Sequence, residues 1–410
     1  MKIAVIGSGI SGLSAAYYLS KKYKVDLLEQ DDNFGGHSYT YEINKNNRTI
    51  SVDLGFIVFN ELTYPNLLNF FKELGVAYEK SDMSFAVSVQ NSKIEYGGKG
   101  LKGLFANKIN ILNLNFINMI REIIYFYKTA PSILDKDIEQ ETLGSYLNKA
   151  NSSKYFINFH IIPMVAAIWS MPFSKARDMP LKLFLNFFMN HGLFRLKNRP
   201  QWFTVSNRSK TYVNKVLKNI SGEYFKNYKV NKISRSADNV RIFIGNEHLD
   251  YDYVVLASHA DQSLKMVDNP TLEEKRILGE FKYVPNKAIL HTDEKLMPKN
   301  KLAWSSWNSI SKEDLSETCV TYWLNNLQNL KCEENYFLTL NPIQKIDEDR
   351  IITKINFTHP YFNSQTAKLQ KELFSLQGKK RTWFCGSYFG YGFHEDGLKS
   401  SIEMIKNFIK

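Results

Sequence analysis

Residues 2–29 read KIAVIGSGISGLSAAYYLSKKYKVDLLE. The apolar run Ile3 to Ile6 predicts a strand, Leu13 to Lys22 a helix, and Val25 to Glu29 a second strand. Between the first strand and the helix lies Gly7-Ser8-Gly9-Ile10-Ser11-Gly12, the G-x-G-x-x-G spacing of a βαβ dinucleotide unit. Gly7 allows the tight turn, Gly9 lets backbone approach a pyrophosphate, and Gly12 lets helix and strand pack closely. The helix N-terminus then aims free N–H groups and a positive dipole end at the phosphates. Glu29 closes the second strand, where a carboxylate accepts hydrogen bonds from ribose hydroxyls and repels a 2′-phosphate, which disfavours NADP. Gly7, Gly9, Ser11, Gly12 and Glu29 are therefore candidate cofactor contacts, and on these residues alone NAD and FAD both remain open.

Two distant segments extend this unit. The strand Tyr253 to Ala257 follows a hairpin-like stretch from Val230 to Ile244, with a turn at Ala237-Asp238-Asn239. Near the C-terminus, Thr382 to Gly386 reads as another strand before a helix from Gly397 to Ile409. Segments that each end a strand near a small residue suit one parallel sheet with a ligand at the strands' carboxyl ends. Of the two long insertions, 61–200 carries helical patterns (Tyr64 to Leu74, Phe116 to Tyr127) punctuated by Pro163, Pro172 and Pro180. The second, 280–360, is richer in strands (Lys287 to His291, Cys319 to Trp323, Tyr336 to Leu340). The expected fold class is α/β: a Rossmann-like nucleotide domain from residues 1–60, 203–268 and 378–410, with an inserted α+β substrate domain from 61–202 and 269–377.

Four further motifs carry a resemblance. Gly35-Gly36-His37 follows Glu29, then Val52-Asp53-Leu54-Gly55-Phe56, and near the end Gly386-Ser387 precedes Glu395-Asp396-Gly397-Leu398. Together they resemble the fingerprint of the flavin amine oxidase and phytoene desaturase superfamily of two-dinucleotide-binding-domain flavoproteins. The resemblance implies FAD as cofactor. It implies contacts from Gly35, Gly36, His37, Gly55, Phe56, Val230, Gly386, Ser387, Asp396, Gly397 and Leu398, with the last helix's N-terminus toward the flavin. A Gly beside a flat aromatic ring has a physical reason, since no Cβ stands in the way. Three positions depart from the superfamily: His37 replaces an Arg, Ser387 an acidic residue, and Ser400-Ser401 the Ser-Gly pair of the last helix.

A closer resemblance runs along the whole chain. It rests on Gly55 to Asn60 with Tyr64-Pro65-Asn66, Ser81 to Phe85, Pro163-Met164 with Ala167 to Ser170, Asn190 to Leu193 with Arg199 to Trp202, and Phe384 to Gly386 leading to Gly390 to Gly397. These are similar to a bacterial family of predicted NAD/FAD-binding proteins, related in turn to the flavoprotein half of some plant cyclopropane fatty acid synthases. That resemblance implies oxidation or desaturation of a lipid acyl chain or another apolar molecule. A flavin amine oxidase, which would use a flavin-proximal lysine such as Lys287, is an alternative. So is a flavin-binding accessory protein of a lipid-modifying methyltransferase.

Tyr391 and His394, just before the last motif, are the catalytic candidates. For His394, orienting the cofactor or hydrogen bonding in the core is the competing role. His191 in Asn-His-Gly suits either a pocket lining or a turn. Eight histidines scattered along the chain suggest no metal site, and three cysteines without a C-x-x-C pair suggest neither a zinc site nor a disulfide framework. A reducing, cytoplasmic setting follows, with no signal peptide expected from the immediate entry into the Ile3 to Ile6 strand. The most apolar run, Phe156 to Phe173, is broken by polar residues and Pro, so no spanning helix is expected. A net charge of +12 suits an anionic partner or a generally Lys-rich surface. No nucleic-acid partner is expected, but Leu101 to Tyr127, with Lys102, Lys108 and Arg121 among large apolar residues, suits peripheral contact with an anionic membrane.

Overall fold

The computed structural model describes residues 1–45, 47–98, 100–169 and 173–408. Ser170, Pro172 and Ile409, all used in the sequence reading, lie outside them. Five strands, β1 (Lys2–Ile6), β2 (Lys24–Leu28), β3 (Tyr224–Phe225), β4 (Tyr253–Leu256) and β5 (Thr382–Phe384), form a sheet in the order β3-β2-β1-β4-β5. All four pairings are parallel. Parallel strands buried on both faces read as continuous apolar runs, and β1 shows why. Ile3 and Val5 point into a core shared with the helix Ile10–Leu19 and the terminal helix, while Ala4 and Ile6 point into the opposite core. That second face is covered by an antiparallel meander of Lys232–Arg235, Val240–Ile244 and Glu247–Tyr251. The turn expected at Ala237-Asp238-Asn239 is closed by the Ser236 N–H donating to the Asn239 carbonyl at 2.9 Å.

The helix Pro65–Leu74 falls within 61–202, the stretch assigned to the inserted domain from the sequence. Its Leu67, Phe70 and Phe71 pack with Tyr212 and Val213 into the core beneath the parallel sheet. The terminal helix spans His394–Phe408, and Glu395, Asp396 and Gly397 lie within its first turn.

The rest of the chain builds a seven-stranded sheet and a helical layer. The strand order is Ile351–Tyr361, Lys282–His291, Phe337–Leu340, Thr318–Trp323, Trp307–Ser311, Phe85–Val89, Glu95–Gly97. The first insertion is thus not purely helical: Phe85–Val89 pairs in parallel with Trp307–Ser311, so both insertions share one sheet. Against it pack Leu114–Ile133, Leu143–Lys149, Ile162–Trp169 and Leu181–Asn190, whose inward stripes meet in one apolar core. Among the described residues no helix is long and apolar enough to cross a membrane.

Candidate active site

The cradle at the carboxyl ends of β1 and β2 is defined by what a methyl group would meet at each glycine. A Cβ on Gly12 would stand 1.8 Å from the Gly7 carbonyl oxygen, so this glycine is demanded by helix–strand contact. Gly9, at φ −63° and ψ 178°, has nothing within 4 Å of the same position, leaving open space above the helix N-terminus. Gly36 (φ +56°) closes down on it, an added Cβ lying 3.0 Å from the Gly9 Cα. Gly55 is pinned from the other side, since its Cβ would fall 2.1 Å from the His37 carbonyl oxygen. That carbonyl accepts the Phe56 N–H at 2.7 Å. Glu29 is buried and accepts the Ser8 N–H at 2.8 Å, the Ser8 hydroxyl at 2.5 Å and the Asp31 N–H at 3.0 Å. A carboxylate has about four lone-pair sites, so capacity for a ribose hydroxyl remains.

Histidines that are scattered in sequence gather here. His37 stacks on Phe357 with ring centroids 5.0 Å apart, and lies 5.2 Å from His359 and 6.5 Å from His259. His259 follows β4 and stacks on Tyr283 at 4.1 Å, while His359 Nδ1 meets the Asn286 amide at 2.8 Å. Burial drives the pKa of His37 and His259 down to about 4 and that of His359 to about 3, with each ring further disfavouring protonation of another. All three residues are only partly buried. The His37 Nε2 is buried without a hydrogen-bond partner. Among the described residues no group of acidic, His or Cys side chains is arranged to hold a metal ion.

The N-terminus of the terminal helix adjoins this cluster, since His37 further disfavours a charge on His394. Its Asp396 accepts the Phe393 N–H at 2.9 Å, and Gly390 is required because a Cβ there would lie 2.2 Å from the carboxylate. Burial raises Asp396 to about 7, against the pull of those backbone N–H groups. Glu395 turns away and caps the helix Pro65–Leu74, accepting the Asn66 and Leu67 N–H groups at 2.9 and 3.0 Å. The His394 Nε2 meets the Ser38 hydroxyl at 2.8 Å and the Tyr212 hydroxyl at 3.1 Å, and the ring stacks on Phe56 at 3.7 Å. Burial holds its pKa well below the usual value. The ring is therefore neutral and anchored, the geometry of an orienting group. Tyr391 and Phe393 face Phe187 at 6.1 and 4.9 Å, and Trp169 and His191 extend this aromatic wall. His191 fills both roles open to it, since its Nδ1 meets the Phe187 carbonyl at 2.9 Å at the end of Leu181–Asn190.

The remaining sequence candidates fall in different places. Gly35 donates its N–H to the Ser8 carbonyl at 3.1 Å, and the Ser387 carbonyl accepts the Gly390 and Gly392 N–H groups at 3.1 and 3.2 Å beside the terminal helix. The Gly386 N–H donates to Ser400 at 2.9 Å. Val230 is buried just beyond β3, near Tyr228, whose N–H donates to the Glu29 carbonyl at 2.8 Å. The Ser11 hydroxyl faces Gly397, whose added Cβ would lie 2.7 Å from it, and Leu398 is fully buried in the core. Both side chains serve helix packing. Lys287 is exposed on the strand Lys282–His291. His359, Ser38 and Tyr212 carried no local sequence signal, because each reaches the site only through strand pairing or a core hydroxyl.

Residues 5–74 match the family of NAD(P)-binding Rossmann-like domains. Among curated proteins, no sequence match is found. Solved structures share the architecture over the full chain. A CLA-producing fatty acid isomerase from P. acnes superposes with a TM-score of 0.68 at 13% identity, covering 100% of this chain and 98% of its own. Cyclohexylamine oxidase from Brevibacterium oxydans IH-35A gives 0.70 at 13% identity, covering 100% and 99%. A putative protoporphyrinogen oxidase from Exiguobacterium sp. 255-15 gives 0.66 at 15% identity, covering 99% and 98%. The chain thus shares the two-domain fold of these proteins, with a Rossmann-like domain at its N-terminus.

Proposed function

We propose that the chain is an FAD-dependent oxidoreductase that dehydrogenates or desaturates an apolar substrate, a lipid acyl chain foremost. The observation that carries this is the open space above Gly9, and it is supported by the uncharged aromatic wall of Tyr391, Phe393 and Phe187 beside the terminal helix. The residues fit a dinucleotide: Glu29 keeps a free lone pair for ribose, the helix Ile10–Leu19 offers its N–H groups to phosphate, and His37 Nε2 lacks a partner. FAD bound there would supply hydride acceptance. Tyr391, Phe393, Phe187 and Trp169 exclude water and hold an apolar chain against the site. The Ser38–Tyr212–His394 triangle fixes the edge of that space. Asp396, poised near neutral pH, governs the charge at the helix N-terminus.

An amine substrate is less well served, because Lys287 is exposed and the wall carries no charged side chain. The lipid assignment is supported by the resemblance to lipid-linked flavoproteins and by the fold shared with a fatty acid isomerase. Lipid extracts from cells with and without the gene should differ in acyl-chain unsaturation, and the responsive lipid should bleach the visible absorbance of the purified protein without oxygen. Bleaching by amines alone would overturn the lipid assignment. No bleaching by any lipid would favour the accessory reading.

A further inference from the structure

We propose that the outer face of the helical insertion docks on an anionic lipid bilayer, a surface that stands independently of the cofactor reading. Residues 101–114 leave Leu101, Leu112 and Leu114 at 74%, 85% and 83% exposure, with Ile109 and Ile111 more than half exposed beside them. Loops ordinarily turn polar side chains to water; this one is inverted. The Asn107 and Asn110 amides donate to the Lys93 carbonyl at 3.0 and 3.1 Å, and Asn113 caps the helix Leu114–Ile133. The Asn300 amide ties the neighbouring segment to the Ala106 carbonyl at 2.5 Å. The polar groups are spent on backbone, and the leucines and isoleucines project from a fixed frame. Five large apolar side chains exposed within fourteen residues point to a docking site.

Charge identifies the occupant. Lys93, Lys102, Lys108 and Arg121 are exposed around the apolar ridge, and the sequence from Tyr96 to Arg121 contains no acidic residue. Nearby carboxylates are engaged elsewhere. Glu95 accepts the Lys299 and Asn300 N–H groups, Glu122 accepts the Ser153 hydroxyl at 2.7 Å, and Glu294 lies 3.3 Å from Lys301. A depression of about 490 Å³ beside Leu101, lined by Lys102, Lys301, Trp304 and Trp323, is of a size to take a headgroup. A second copy of the chain would set the same cations against each other across a two-fold interface, whereas anionic headgroups neutralise them and the acyl boundary takes up the leucines. The inner face of the same layer packs against Tyr391 and Phe393, so the bilayer would lie across one layer of helices from the aromatic wall.

The test uses the full chain and vesicles of phosphatidylcholine alone or with about one third phosphatidylglycerol. The chain should sediment with the anionic vesicles at low salt, and less so at about 0.5 M salt. Leu112→Asp with Leu114→Asp should reduce partitioning by about tenfold or more, as should Lys102→Glu with Lys108→Glu. Both pairs are exposed, so unchanged thermal unfolding certifies the fold. Four results would each overturn the proposal. They are equal or absent sedimentation with both vesicle types, sedimentation that neither double variant weakens, a dimer that Leu112→Asp with Leu114→Asp dissociates in vesicle-free solution, or binding that grows with salt.

Discussion

A methyl group added at Gly9 and one added at Gly12 meet opposite surroundings. At Gly12 it collides with the Gly7 carbonyl at 1.8 Å, so Gly12→Ala should cost about 3 kcal/mol or more in urea unfolding. At Gly9 it meets nothing within 4 Å, and φ of −63° suits any residue. Gly9→Val should therefore unfold within about 1 kcal/mol of the parent yet lose flavin, read as the ratio of visible to 280 nm absorbance. A Gly9→Val protein that keeps its flavin would show that the cradle is not used. His37 gives a second residue-scale expectation. Its buried Nε2 lacks a partner, so His37→Ala should weaken FAD binding about tenfold or more in a fluorescence titration. Unchanged affinity would mean that the ring serves packing against Phe357 alone. The glycines and Glu29 were legible in the sequence because their signal is local, a turn bounded by one strand and one helix. The histidine cluster was not: residues 37, 259 and 359 approach only after three strands have taken their places.

At the scale of elements, the close approach of the helix Ile10–Leu19 and the terminal helix depends on small side chains. The Ser14 and Ser401 hydroxyls meet at 2.6 Å and both residues are buried. Ser401→Leu should overpack this contact and cost about 1–3 kcal/mol in denaturant unfolding; a stability equal to the parent would show that the helices can separate freely. The sequence reading begins the terminal helix at Gly397, whereas it begins at His394, because Asp396 turns back to cap the Phe393 N–H. Such a reversal leaves no periodicity to read. The short strands Phe85–Val89 and Glu95–Gly97 were missed for a related reason: their partners lie more than two hundred residues away or across a tight hairpin. The apolar stripe of Pro65–Leu74 was legible as a helix, but which core it enters is decided by Tyr212 and Val213, far along the chain.

Across the whole molecule, proton linkage sets a direction for stability. Burial depresses seven of the eight histidines, including His37, His191, His259 and His291 to about 4 and His160 to about 3. Such groups stay neutral in the folded chain but bind protons when unfolded below about pH 6.5, so acidification favours unfolding. Asp53 and Asp396, raised to about 6 and 7, act oppositely, since their stabilisation fades as pH rises through those values. Seven groups outweigh two. Stability should fall by at least about 2 kcal/mol between pH 6.5 and 5, at roughly 1.4 kcal/mol per pH unit for each net proton. A urea midpoint flat over that range would contradict the linkage. The central claim, that the cradle above Gly9 holds FAD, is tested most directly by removing any bound cofactor and titrating the chain with FAD by calorimetry and absorbance. One noncovalent FAD should bind per chain, be displaced by acid into the supernatant and not be replaced by NADP. Failure to bind FAD, or tighter binding of NADP despite Glu29, would contradict it.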